Sequence, residues 1–166
     1  MMHNTHMSQF IPCTAIHYVT GTWTNAAGQV TGTICKHKSA NAETAVVTIP
    51  VQIPSNSVAL QGAKLASVEL DYELLVEAAT SVTAVVNKVT RGVDTAVAVV
   101  AALPSSQSLV AAVGAATADQ HKLSVTITTP VWIDNDEEIL VQVSFVCGAN
   151  VTVDILAAVA NFTARM

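Results

Sequence analysis

An antiparallel two-sheet β-sandwich of about eight strands, wound as a jelly roll, is the fold the sequence predicts. Three observations carry it. Ala, Val and Thr supply about 70 of the 166 residues, and β-branched Val and Thr favour pleated sheet over helix. Lys64 to Val76 alternates for thirteen residues, with Ala66, Val68, Leu70, Tyr72, Leu74 and Val76 on one side and Ser67, Glu69, Asp71 and Glu73 on the other, as strand side chains must. Short apolar stretches bounded by Gly, Pro, Asn and Ser recur along the chain without helical spacing, which is the pattern of a sandwich. An immunoglobulin-like sandwich is the alternative, but the Cys and Trp spacing of those domains is absent.

Residues 1 to 12 lack periodicity and read as an N-terminal arm that a neighbouring subunit would order; residues 13 to 166 form one domain. Ile16 to Trp23 and Val30 to Lys36 flank Asn25-Ala26-Ala27-Gly28, a predicted hairpin that opposes Trp23 to Val30. Ala45 to Ile53 is the next strand, punctuated by Pro50 and Pro54. Ser55 to Ser57 is loop, Lys64 to Val76 follows, and Val82 to Arg91 is apolar enough to be central. Between Asp94 and Ala118 two short strands and a loop are expected. Lys122 to Thr128 alternates again, Asp134 to Glu138 makes an acidic turn, and Ile139, Val141, Val143, Phe145 and Cys147 share one face. Val151 to Phe162 closes the sandwich.

Only 11% of residues are charged while 51% are hydrophobic, against roughly a quarter charged in ordinary soluble domains. A surface so short of charge is expected to be covered in part by copies of itself or by a larger particle. The net charge of -5 and seven scattered Lys and Arg exclude a nucleic-acid surface. The longest apolar run, Ala96 to Leu103, is too short to span a bilayer as a helix. No secretory leader is visible at the N-terminus. The triplets beginning at Asn150 and Asn161 match the glycosylation sequon, but a Thr-rich chain produces these by chance.

Several groups of residues invite a chemical reading. Glu69, Asp71 and Glu73 sit two apart, about 7 Å along a strand, a separation used by inverting glycosidases; an ordinary solvated face is the expectation. Asp134, Asp136, Glu137 and Glu138 have oxygen ligands for calcium, although the run lacks the glycine and downstream glutamate of a helix-loop-helix site. Cys13, His17, Cys35 and His37 are zinc ligand types, but the predicted hairpin places His17 opposite Lys36 and so on the other face from Cys35 and His37. His3 and His6 lie in the arm, and His121 precedes a strand as a solvated loop residue. No nucleophile elbow, phosphate loop or zinc-protease helix motif occurs. No cofactor and no catalytic residue is expected.

Four stretches carry a resemblance: Thr20-Gly21-Thr22-Trp23-Thr24, Thr48-Ile49-Pro50-Val51-Gln52-Ile53-Pro54, Thr129 to Asp136, and Ala158 to Thr163. In them the chain resembles small β-sandwich and jelly-roll decoration or accessory proteins of tailed-phage virions. That resemblance implies a non-enzymatic virion subunit, commonly a homotrimer, attached to a capsid or tail lattice. Phe10 and Ile11 in the arm, with Trp132, are the expected partner contacts. A carbohydrate or host-receptor module using the loops near Trp132 to Glu138, and a glycoside-active enzyme using Glu69 with Asp71 or Glu73, are the alternatives.

Overall fold

The computed structural model describes residues 4–27, 34–52, 62–92, 98–110 and 119–165. Among them are β1 (Asn4–Pro12), a single 3-10 turn (Cys13–Ala15), β2 (His17–Thr20), β3 (Trp23–Ala27), β4 (Ile34–Lys38), β5 (Glu43–Val51), β6 (Ala63–Leu75) and β7 (Ser81–Thr90). The remaining strands are β8 (Val99–Leu103), β9 (Ser105–Val110), β10 (Asp119–Ile127), β11 (Trp132–Ile133), β12 (Glu137–Cys147) and β13 (Thr152–Arg165). The larger sheet runs β3-β4-β13-β6-β10-β9, with β1 also on β13 and β11 also on β6; the smaller runs β2-β5-β12-β7-β8. Every pairing is antiparallel.

Within this arrangement β4-β13-β6-β10 faces β5-β12-β7-β8, and the chain from β4 to β7 changes sheet at every step. That is the jelly-roll winding, with β1, β2, β3, β9 and β11 as additions at the margins. The core lies between the sheets. Ile139, Val141, Val143, Phe145 and Cys147 all point into it as the alternation requires. The Tyr72 ring meets Phe145 edge to face at 5.3 Å and stacks on His121 at 5.5 Å. Burial pushes the Tyr72 phenol up to about 12, so it stays protonated at any ordinary pH.

Several expectations need correction. Ala66 and Val76 do not share the dry face of β6. The ladder to β13 shifts register between Leu65 and Ser67, and this bulge turns Ala63 and Leu65 inward ahead of Val68. The strand ends at Leu75, and Val76 turns out of it at φ 74 with 66% of its surface exposed. A β-branched residue pays for that left-handed conformation. Val76→Gly is therefore expected to raise stability by about 1 kcal/mol, read as a higher urea midpoint with an unchanged slope.

The stretch Ile16 to Trp23 is not one strand. β2 belongs to the smaller sheet and β3 to the larger, and Gly21 makes the corner at φ +104. The predicted hairpin exists, yet Trp23 pairs with Lys38 and Asn25 with Lys36. Residues read as its turn are strand, because β4 is fixed from the far end by Lys38, whose position pairs with Val153 of β13. His17 accordingly faces Thr48. The turn expected at Gly28, and the loop from Pro54 to Ser57, lie outside the described residues.

The arm is also part of the sheet. Asn4 to Pro12 pair residue for residue with Arg165 to Ala157 of the same chain, with no shift in register. The surface that orders it is the chain's own last described strand, and Ile11, 3% exposed, enters the shared core. Among the described residues no helix is long and apolar enough to cross a membrane.

Candidate functional site

The two outer faces of the sandwich differ in chemistry. Cross-strand partners share a face, so rows can be read across each sheet from the pairing. On the smaller sheet one row is Pro50, Leu140, Asn87 and Ala102; the next is His17, Thr48, Gln142 and Val85; the next is Thr20, Val46, Ser144 and Thr83; and the last is Thr44, Val146 and Ser81. None of these residues carries a formal charge; the row beyond Leu140, of Glu138, Val89 and Val100, brings in one carboxylate. Val85 is 47% and Val146 37% exposed.

The outer face of the larger sheet is polar and ionic. One row is Ser8, Asn161, Ser67, Thr126 and Ser106, and its neighbour is Phe10, Val159, Glu69, Ser124 and Ser108. Ser8 donates to Asn161 Oδ1 at 2.7 Å, and Asn161 Nδ2 donates to Ser67 Oγ at 3.2 Å. Phe10 is 67% exposed. Trp132, expected as a partner contact, lies on this face half-buried, with Lys64 Nζ 5.2 Å and the Arg165 guanidinium 4.3 Å from its ring centre. Such cation contacts on indole are worth roughly 0.5 to 1 kcal/mol at exposed sites.

Glu69, Asp71 and Glu73 stand together on that face as the alternation predicts. Lys122 from β10 lies 2.9 Å from Glu69 and 3.9 Å from Asp71. The hydrogen bond to Glu69, then the charges of Asp71 and Glu69, hold its ammonium above the usual lysine range. One cation shared by two carboxylates on an open sheet is a surface ion-pair arrangement. A described cavity of about 240 Å³ lies elsewhere, lined by Pro50, Gln52, Asn135 and Glu138 among others.

The acidic turn is tied to β7 and its end. Glu137 accepts from Lys88 and from the Asp134 amide, Glu138 is paired with Arg91, and the Arg91 amide donates to the Asp136 carbonyl at 2.7 Å. Two of the four calcium candidates are thus already matched by cations. No group of three or more His, Cys, Asp and Glu able to hold a metal occurs among the described residues. Of the zinc candidates, Cys13 is buried and His17 exposed, while the side chains of Cys35 and His37 lie outside the described residues, as does His3. His121 is 3% exposed and sits inside the core, not in a solvated loop.

Desolvation pushes the Glu137 carboxyl up, but hydrogen bonds from Lys88, Asp134 and Thr90, with the Lys88 charge, outweigh it and leave the carboxyl below its usual value of 4.5. A carboxyl depressed in the folded state adds stability above the unfolded value and loses it as pH falls through the folded one. Wild type is therefore expected to lose more Tm than Glu137→Gln as pH is lowered from 4.5 downward. Parallel Tm profiles would contradict this.

The fold and its two faces define an all-β jelly-roll module with one outer surface free of formal charge over four consecutive rows and one that is ionic. No family model matches the chain, and no curated protein matches it. Six chains of solved structures do. One is the N-terminal part of Clostridium thermocellum endo-1,4-beta-D-xylanase 10B, its CBM22-1 and GH10 modules complexed with xylohexaose, at 6% identity and a TM-score of 0.46. The match covers 93% of this chain and 27% of that one.

Proposed function

We propose that the protein is a non-enzymatic assembly subunit that joins copies of itself and a larger particle through the outer face of its smaller sheet. The observation that supports this is the absence of formal charge across four consecutive rows of that face. A solvated sheet face ordinarily carries charges that keep it apart from its neighbours, and here they stand at one end of the face, where Glu138 pairs with Arg91. In keeping with the phage resemblance, the particle is a capsid or tail and the assembly a homotrimer. Val85→Lys introduces a charge at an exposed position of the face without disturbing the core. It is expected to lower the mass measured by light scattering while leaving the Tm unchanged. A wild type that is monomeric at high micromolar concentration would refute the proposal.

A second reading, carbohydrate binding, has its own support in the ionic face. The row from Ser8 to Ser106 crosses five strands, about 19 Å at the usual strand spacing, and offers hydroxyl and amide groups between Phe10 on one side and Trp132 on the other. Glycan-array binding that disappears in Asn161→Ala would favour it, and a blank array would remove it.

A further inference from the structure

We infer that the outer edge of β1 is a second self-association site, pairing antiparallel with β1 of another copy about a two-fold axis. The inference rests on the assembly reading in requiring a second copy, but it uses a different surface.

β1 is nine residues long and hydrogen-bonds to β13 alone among the described strands. Its other edge therefore presents the backbone donors and acceptors of alternate residues to solvent. The other marginal strands, β2, β3, β8 and β9, run only four to six residues. Long edges are normally blunted by lysine, by inward charges, by proline or by a bulge. β1 has no Lys, Arg, Asp or Glu, its ladder to β13 is unbroken, and its one proline is the last residue.

Self-pairing brings like against like, so in a chain of net charge -5 the contact must be uncharged to avoid repulsion. β1 meets that condition, with His6 its one titratable side chain. Full overlap of nine residues puts the axis at Ser8 and sets His6 of one copy opposite Phe10 of the other. Phe10 is 67% and Met7 42% exposed, and the two lie on opposite faces of the strand, so pairing covers apolar surface on both sides of the joined sheet.

Phe10→Lys tests the edge, since an exposed residue can be changed without loss of the core. Light scattering should give half the wild-type mass, with the Tm unchanged. In a Cys35→Ser background, where Cys13 and Cys147 are buried, Ser8→Cys should form a covalent dimer under mild oxidation, because the residue on the axis faces itself. A mass unaffected by Phe10→Lys, or no covalent dimer from Ser8→Cys, overturns the inference. If Val85→Lys lowers the mass while Phe10→Lys does not, the assembly reading stands and the edge site falls. A monomeric wild type defeats both.

Discussion

Lys38→Met is expected to destabilise the protein by about 4 kcal/mol, the range found when one partner of a buried ionic cluster is removed. Lys38 is fully buried. Its ammonium donates to the carbonyls of Ser39 at 2.7 Å, Asn41 at 3.0 Å and Val151 at 3.1 Å, and Glu43 stands 3.6 Å away. All three of its donors are used. Methionine has a similar reach and apolar bulk, so the loss isolates the hydrogen bonds: three carbonyls and one carboxylate are left without their cation. A protein of this size should lose about 12 °C in Tm. Glu43→Gln, which leaves the three carbonyl contacts intact, should cost about 1 kcal/mol. Urea unfolding of the two variants decides the matter; equal losses would mean that the ion pair, and not the carbonyl cage, holds Lys38 in place.

Gly21→Ala is expected to cost about 3 kcal/mol, from left-handed strain together with overpacking. At φ +104 the corner between the sheets is in a region that side chains rarely enter. An added Cβ would also come within 2.9 Å of Ala45 Cβ and 3.2 Å of its Cα, and Ala45 is fully buried. The two contributions separate in a double variant. Ala45→Gly added to Gly21→Ala relieves the side-chain overlap and leaves the torsional strain, so the pair should be less destabilising than the sum of the single changes. Strict additivity would show that packing against Ala45 plays no part.

Both residues owe their roles to contacts distant in the chain, which local sequence does not encode. The alternation in Leu123 to Ile127 and Ile139 to Cys147 is a local property, and the buried faces of β10 and β12 follow it directly. The bulge at Ala66 is not local. It arises where β6 meets β13, nearly a hundred residues away, and an unbroken alternation gives no sign of it. Gly21 was visible as a lone glycine in a strand-like stretch, which is the signature of a bend or close backbone approach, but its Thr-Gly-Thr setting read equally well as paired strand. Lys38 offered no signal at all, since its acceptors are carbonyls supplied by two separate loops.

The surface chemistry was legible in the same uneven way. Composition pointed to a charge-poor exterior, whereas its concentration on the smaller sheet emerges only once β2, β5, β12, β7 and β8 are placed side by side. The carboxylates of β6 were recognisable as a row, but Lys122 reaches them from β10 through a pairing no spacing reveals. Sequence alone groups Ile11 with Phe10 as a contact for other molecules; strand parity separates them, one into the core and one into solvent.

The position of β13 has a further consequence for how the molecule is made. It binds β6 along one edge and both β4 and β1 along the other, yet it follows all three in the chain. While a ribosome is still translating the earlier residues, β1 has no partner, β4 has only β3 and β6 only β10 and β11, so the larger sheet stays in separate pieces until residues 152–165 clear the exit tunnel. Closure then joins segments far apart in sequence, which makes it slow, and the nascent chain carries open β edges in the meantime that attract chaperones or invite misassembly.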